Sequence, residues 1–192
     1  MRPTIALMIL LLSLQAAPIA AADQPTAGSL LPAPAALGPD WSLIGASHSD
    51  TMSPSTGFTS MASAMYGGSE GSRIFVRVFV VASGATAVRQ ARDTANDAFA
   101  GLRGLVRERA ASGSSSLDTR PGPTGCNDAQ RADGQDANFS DFAAGVTLCA
   151  VDPDLIILVG VFGSFDGLSG FPASDTVVEN IVHGQVAATP AP

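Results

Sequence analysis

The chain has 192 residues, of which 46% are hydrophobic and 14% are charged, and its formal net charge at pH 7 is −7. This composition suits one folded domain and excludes global disorder, because the apolar side chains are sufficient to build a core. All ten basic residues are arginine, against seventeen acids. This balance does not supply the basic footprint that nucleic acid or an anionic lipid surface requires.

The N-terminus, residues 1–22, is predicted to be a secretory signal peptide. One arginine precedes the uncharged apolar run Ile5–Leu14, and small residues end at Ala22 with cleavage before Asp23. The alternative is an uncleaved anchor, but a membrane span needs about 20 apolar residues and Pro18 interrupts this stretch. We therefore expect a secreted or extracytoplasmic protein with no transmembrane helix after cleavage.

The two cysteines, Cys126 and Cys149, are predicted to form a disulfide. Export takes the chain into an oxidising compartment, and two cysteines allow only one intramolecular pairing. The alternative is two buried free thiols. No C-x-x-C motif is present, so catalytic thiol exchange is not expected.

The first half of the mature chain predicts strands followed by a long helix. Residues 23–39 are rich in Ala and Pro and predict a flexible leader. A short strand is expected at Trp41–Ala46. The apolar runs Phe58–Tyr66 and Arg73–Ala82 flank a Gly-rich turn and predict a β-hairpin. Apolar residues spaced by three and four then predict a helix over Ala85–Ala110.

In the second half of the chain, a long connection is followed by predicted strands and then by a predicted helix. The segment Ser112–Asp141 is rich in Ser, Gly and Asp and predicts irregular structure with room for one short strand beside the first cysteine. The runs Gly145–Val151 and Leu155–Phe162 predict a second hairpin. A short helix is expected from Ser174 to about His183, where Gly184 would end it, and residues 187–192 predict a disordered tail.

These elements predict an α+β fold. Residues 40–186 would form a single domain with a mostly antiparallel sheet of about four to six strands, one long helix and one short helix. The runs Arg73–Ala82 and Leu155–Phe162 are apolar on both faces, so both faces of the sheet should be covered. Either each helix covers one face, or both helices share one side and the other meets the leader, a second copy or a ligand.

Motifs for catalysis and metal binding are weak. Gly67–Gly71 matches G-x-S-x-G, but a strand follows it, so the glycines indicate a hairpin turn. His48 and His183 have no recognisable nucleophile beside them. The acidic segment 128–141 is predicted to be a solvated loop, because its residues do not follow the ligand order of an EF-hand. Calcium binding by this segment is the alternative. No cofactor motif and no metal site are predicted.

One strand carries the candidate interaction surface. Phe75, Arg77 and Phe79 alternate onto one face, and a buried arginine requires a carboxylate partner or an exit to water. The neighbouring predicted strands contain no acid. We therefore expect a non-enzymatic domain that binds a protein partner or small ligand through these three residues. The alternatives are a secreted hydrolase with an unrecognised site and a structural envelope protein.

Overall fold

The computed structural model describes residues 25–109, 115–117, 122–135, 143–152, 154–163 and 174–188. The predicted signal peptide lies outside these residues, and so do positions 189–192 of the predicted tail. Among the described residues, no helix is both long enough and apolar enough to cross a membrane.

The described strands form one sheet in which every neighbouring pair is antiparallel. Six of them have eight or more residues and one, β4, has three, and their order across the sheet is β1-β2-β3-β7-β6-β5-β4. The predicted α+β fold is therefore confirmed. The strands are β1 (Ser42–Ser49), β2 (Phe58–Gly67), β3 (Arg73–Val81), β4 (Ser115–Leu117), β5 (Asp128–Gln135), β6 (Ala143–Asp152) and β7 (Leu155–Gly163).

Within the described residues three α-helices accompany the sheet, and they are α1 (Pro34–Leu37), α2 (Ala85–Arg109) and α3 (Ser174–Ala188). The chain forms the meander β1-β2-β3 followed by α2, and then the meander β5-β6-β7 followed by α3. The two meanders meet where β3 pairs with β7, from Arg73 opposite Phe162 to Val80 opposite Leu155. Both predicted hairpins, β2-β3 and β6-β7, are confirmed.

Each face of the sheet carries its own hydrophobic core. Helix α3 and the segment before β1 cover one face, here called the α3 face. Helix α2 packs on the other, here called the α2 face. Of the two arrangements that the sequence left open, the structure therefore has the one in which each helix covers one face. The central strands supply both cores, the α3 face with Ile74, Val76, Val78, Ile157 and Val159, and the α2 face with Phe79, Val81, Ile156 and Leu158.

The start of α2 lies directly against Gly57. This glycine has φ of +79°, a conformation that residues with a Cβ rarely adopt. A Cβ built at this position would lie 2.5 Å from the carbonyl oxygen of Ala87 in the first turn of α2. The absence of a side chain at position 57 therefore allows the helix to return closely onto the sheet.

The segment expected to be a flexible leader lies on the α3 face in its described part, residues 25–38. Ala27 is fully buried and donates its backbone N–H to Ser60 Oγ at 2.9 Å. Tyr66 donates its hydroxyl to the carbonyl oxygen of Pro32 at 2.6 Å, and Leu37 is buried. The Ala and Pro content that suggested flexibility also provides small, conformationally restricted residues that fit closely on a sheet.

Part of the predicted irregular connection is a full strand. Asp128–Gln135 forms β5 and pairs with β6 along its whole length. Its sequence has no β-branched or aromatic residue, so strand propensity gave no signal. Ala132 is buried on the α2 face and Arg131 on the α3 face, so pairing and burial between the layers stabilise the strand. The expectation of a solvated loop is wrong for these eight residues.

A buried ionic cluster attaches the start of α3 to the sheet. Arg131, only 6% exposed, donates its Nε–H to Asp175 Oδ1 at 2.8 Å and forms an ion pair with the same carboxylate. Thr147 donates its hydroxyl to Asp175 at 2.7 Å and lies 2.8 Å from the hydroxyl of Ser174. Asp175 also stands in the first helical turn, where a negative charge is favourable.

Helix α3 extends further than its predicted end. The expected stop was Gly184, but the helix continues to Ala188, so residues 187 and 188 belong to it rather than to the tail. An exposed glycine costs a helix about 1 kcal/mol relative to Ala. The anchored first turn and the buried residues Val177 and Ile181 outweigh this cost.

The predicted disulfide is confirmed between Cys126 and Cys149, with 5.5 Å between the Cα atoms. It joins the residues just before β5 to β6, 23 positions along the chain. A loop of this size restricts the unfolded chain and contributes about 3 kcal/mol in the chain-entropy account. The bridge therefore supports the half of the sheet whose sequence has the weaker strand signals.

We predict that alkaline pH weakens the fold through Tyr66. Burial raises the pKa of Tyr66 to about 12, against about 10 in an unfolded chain. This contribution to stability is complete below pH ~10 and is lost as the pH rises through ~12, because unfolding then releases a proton. Tyr66 is the sole tyrosine, so tyrosinate absorbance reports this one group. The chain has no lysine, so no lysine contributes to the pH dependence of stability in this range.

The measurement compares tyrosinate absorbance with the free energy of unfolding in urea at each pH. Tyr66→Phe should remove the absorbance change and the accompanying pH dependence of stability, and should cost about 1 kcal/mol at neutral pH for the lost hydrogen bond. A tyrosinate transition near pH ~10 in the folded protein would contradict the prediction.

We also predict that Asp175→Asn or Arg131→Met lowers the free energy of unfolding by about 2–3 kcal/mol, because the first removes the carboxylate that pairs with the buried Arg131 and the second removes the cation that pairs with the partly buried Asp175. Chemical denaturation of both single variants and the double variant gives the coupling energy, and the double variant should lose less than the sum of the singles. Asp93→Asn, an exposed substitution on α2, is the matched control and should change nothing measurable. Additive losses would contradict the pairing.

Candidate binding surface

Helix α2 covers only part of its face of the sheet. It packs on β3, β5, β6 and β7. The outer strand β1 is exposed along almost its whole length, and Met65 on β2 is 43% exposed. The α3 face differs at this point, because residues 27–30 pack there on β1, β2 and β3. The sheet is therefore covered less completely on the α2 face than on the α3 face.

We call the partly uncovered region the Arg77 surface. Antiparallel register places its residues in adjacent pairs, with Ser63 opposite Arg77 and Met65 opposite Phe75. Gly160 follows Phe75 in the same row on β7. The side chains of this surface are partly exposed to solvent, and they are Met61, Ser63, Met65, Phe75, Arg77 and Phe162.

Arg77 lies at the centre of this surface and is half-buried. Its Nε–H donates to Ser63 Oγ at 2.9 Å, and its guanidinium carbon lies 5.2 Å from the centroid of the Phe75 ring. Burial lowers the pKa of Arg77, as expected for a cation partly removed from water. The hydroxyl accepts a hydrogen bond from Arg77 and the aromatic ring makes a cation–π contact with it, but neither group carries a negative charge that would neutralise the guanidinium.

Arg77 forms no ion pair with a carboxylate among the described residues. Strands β1, β2 and β3 contain no Asp or Glu. The two described ion pairs join other residues, His48 with Asp50 and Arg131 with Asp175. From the sequence, we expected Arg77 to have either a carboxylate partner or a route to water. In the structure its side chain is partly exposed to water and donates a hydrogen bond to the hydroxyl of Ser63.

The three residues predicted to form the surface occupy different environments. Phe75 and Arg77 lie at the surface, where their side chains contact each other. Phe79 is only 1% exposed and stacks on Phe58, with ring centroids 4.9 Å apart. Strand alternation correctly put all three on one face, but it could not show that α2 covers the end of β3 that contains Phe79.

Gly160 shapes the border of the surface. A Cβ at this position would lie 2.8 Å from Phe162 Cε2 and 3.5 Å from Leu102 Cδ1. The Phe162 ring and the α2 side chain therefore occupy the space that a larger residue would fill. The register of the predicted β2-β3 hairpin could have placed Ser63 and Met65 beside Arg77, but it carried no information about Gly160 and Phe162 on β7.

The flank of α2 nearest this surface includes the exposed apolar residue Leu105. Asn96 accepts a hydrogen bond from Gln130 Nε2 on β5 at 2.8 Å, which identifies the flank that faces the opposite half of the sheet. At about 100° per residue, Leu105 lies about 180° around the helix from Asn96. Leu105 is 48% exposed, and Ala98 and Gly101 share its side of the helix. Leu105 therefore presents an apolar side chain to solvent on the side of α2 opposite Asn96.

The other candidate residues do not assemble a catalytic site in the described part of the chain. His48 Nε2 lies 3.9 Å from Asp50 Oδ2 at an exposed position, and His183 is exposed on α3. Ser69 lies in the single turn Ser69–Gly71 between β2 and β3, consistent with its interpretation as part of a hairpin connection.

Metal ligands are not grouped within the described residues, where no three His, Cys, Asp or Glu side chains come together. Asp128 and Asp133 alternate onto opposite faces of β5. Positions 136, 138 and 141 of the acidic segment lie outside the described residues. Two cavities bounded by described residues have volumes of about 160 Å³, beside Leu30 and Leu155, and about 80 Å³, beside Asn96 and Gln130.

No family model, no curated protein and no solved structure matches this chain.

Proposed function

We propose that the protein is a non-enzymatic binding module that acts outside the cytoplasm and contacts a protein partner through the Arg77 surface. The observation that carries the proposal is an arginine without a carboxylate on an incompletely covered apolar region of the sheet. Surfaces of this composition, apolar with a central arginine, are typical of protein interfaces.

The chemistry of the surface specifies what the partner must bring. Covering Arg77 removes its remaining hydration, and a buried guanidinium without a counter-charge is strongly unfavourable. The partner therefore supplies a carboxylate directed at Arg77. Around it, Met61, Met65 and Phe75 favour apolar side chains, and the flexible methionines can adjust to their shape.

An open surface fits the described structure better than an enclosed site. The cavities of about 80 and 160 Å³ are smaller than the roughly 300 Å³ at which pockets for small organic ligands usually begin. The Arg77 surface instead extends along neighbouring strands beside α2. This shape favours a segment of another protein over a small molecule enclosed by the fold.

Two features support action outside the cytoplasm. Disulfides form and persist in oxidising compartments, and Cys126 is bonded to Cys149. Residues 1–22 have the charge, the apolar run and the small residues of a signal peptide. The module would then meet its partner in the envelope or the medium.

We predict that Arg77→Ala weakens the binding of an apolar anion without unfolding the protein. Dodecanoate serves as the probe, because it combines a carboxylate with an alkyl chain. Its dissociation constant should rise about tenfold in the variant, since a charge-assisted contact contributes about 1.4 kcal/mol. Titration by NMR measures the affinity and identifies the site, because the Arg77 Nε–H signal should shift together with the amides of Met65 and Phe75.

Arg89→Ala is the matched control, since it removes an exposed arginine from the outer face of α2. It should leave the affinity for dodecanoate unchanged, and thermal unfolding checks the fold of both variants. Arg77→Gln, which keeps most of the stem, separates lost charge from lost packing. Equal affinities for the protein and both Arg77 variants, or dodecanoate shifts confined to other residues, would overturn the proposed site.

The predicted signal peptide can be tested by the residue at which the exported protein begins. Protein recovered from the envelope or medium of a secreting host should begin at Asp23, because Ala20 and Ala22 fit the small-residue rule for cleavage. N-terminal sequencing and intact mass measure this directly. Ala22→Arg should block cleavage and retain the precursor, whereas Ala35→Arg, at an exposed position beyond the cleavage site, should be processed normally. Cytoplasmic protein with an intact Met1 would contradict export.

A further inference from the structure

The row of side chains that contains Arg77 continues across β2 onto β1. Ser63 lies opposite Arg77 in the register of β2 and β3, and Ser47 lies opposite Ser63 in the register of β1 and β2. Residues directly opposite each other in an antiparallel pair point to the same face of the sheet. Because Ser63 contacts Arg77 on the α2 face, the side chain of Ser47 points to this face too.

An independent contact on β1 supports this orientation. A Cβ built on Gly28 would lie 3.6 Å from His48 Cβ, so His48 contacts the segment before β1. Residues 27–30 of that segment pack on the α3 face, and successive residues of a strand alternate between the two faces. Ser47, the preceding residue, therefore points to the α2 face, where it is exposed to solvent.

This row of three residues has unused hydrogen-bond donors. Arginine has five N–H donors, and in the described part of the chain Arg77 uses its Nε–H, which donates to Ser63 Oγ. The N–H groups on its Nη1 and Nη2 have no hydrogen-bond partner there, and Ser63 keeps its own hydroxyl hydrogen to donate. Opposed Cβ atoms of paired strands lie about 5 Å apart, so one acceptor oxygen about 2.8 Å from each hydroxyl fits between Ser63 and Ser47.

The row has a single positive charge. Strands β1, β2 and β3 contain one other arginine, Arg73, which lies four residues from Arg77 along β3 and therefore about 13 Å away. Arg77 alone balances the one negative charge of a carboxylate. A phosphate monoester carries about −1.5 to −2 charges at neutral pH, so it would leave negative charge at a half-buried position of a chain whose net charge is already −7.

We propose that Arg77, Ser63 and Ser47 form one oxoanion subsite, and that this subsite selects a carboxylate of the protein partner, from Asp, Glu or the C-terminus, over a phosphorylated side chain. The proposal rests on the binding function proposed for the Arg77 surface and identifies the chemical group that is recognised there. The Nη groups bind the carboxylate, and the two serine hydroxyls donate to its oxygen on the β1 side. Met61 and Met65 lie one row away on either side, so apolar groups of the partner flank its carboxylate.

Titration by NMR with two probes of equal chain length tests the selectivity. Dodecanoate carries one negative charge, whereas dodecyl phosphate is a dianion at about pH 8, above its second pKa of about 6. With both probes below the concentrations at which they form micelles, dodecanoate should bind at the Arg77 surface about tenfold more tightly, because the second phosphate charge has no counter-charge in the row. Equal or tighter binding of dodecyl phosphate would overturn the selectivity.

Ser47→Ala tests whether β1 contributes to the subsite. The lost hydroxyl should raise the dissociation constant of dodecanoate about fivefold, as expected for one hydrogen bond to an anion. Ser29→Ala removes an exposed hydroxyl from the segment on the α3 face, so it is the matched control and should leave the affinity unchanged. An unchanged affinity in Ser47→Ala would overturn the role of Ser47.

Ser47→Asp tests the geometry without any ligand. The new carboxylate should occupy the subsite, and it should move the Arg77 Nε–H signal of the ligand-free protein in the direction in which dodecanoate moves it in the original protein. The dissociation constant of dodecanoate should also rise about tenfold. Ser29→Asp adds the same charge on the opposite face and should do neither. An Arg77 signal at the same position in Ser47→Asp and in the original protein would contradict the placement of Ser47.

The outcomes separate this proposal from the function on which it rests. If dodecanoate does not bind, or binds equally to the protein and to Arg77→Ala, both proposals are wrong. If binding depends on Arg77 but not on Ser47, and dodecyl phosphate binds as tightly as dodecanoate, the oxoanion subsite is wrong and the Arg77 surface still binds its partner.

Discussion

The structure depends on two central strands, β3 and β7, that are apolar on both faces. An antiparallel sheet can leave one face in water, but a strand with Val76 on one side and Phe79 on the other cannot. This pair therefore requires a covering layer on each side of the sheet. The two meanders extend outward from it, and the helix that follows each meander returns to a different face. One hydrophobic constraint thus explains the layered architecture.

The two faces satisfy this constraint to different extents. On the α3 face, a helix and the segment before β1 lie side by side, and Tyr66 and Arg131 fasten them with buried polar contacts. On the α2 face, the helix leaves the strands nearest the β1 edge partly exposed. An arginine without a counter-ion is tolerated there because water still reaches it. The proposed interaction surface lies in this incompletely covered part of the sheet.

Particular elements show how far sequence reasoning reached. The β2-β3 and β6-β7 hairpins and the start of α2 were predictable, because β-branched alternation and helical periodicity are local signals. Strand β5 was anticipated only as one short strand beside Cys126, because its polar residues form a full strand only when β6 pairs with them and two helices bury Ala132 and Arg131. Residues 25–38 were misjudged for a similar reason, since their position depends on Ser60 and Tyr66, far along the chain.

The sequence by itself determined the α+β class, the order of the main elements, the disulfide partners and the shared face of Phe75, Arg77 and Phe79. Each follows from spacing along the chain or from the number of possible pairings. Only the tertiary structure decided that Phe79 belongs to the core while Arg77 lies at the surface beside Ser63 and Met65. The physical reason is that strand alternation assigns a face to each residue, whereas exposure depends on where a distant helix crosses that face.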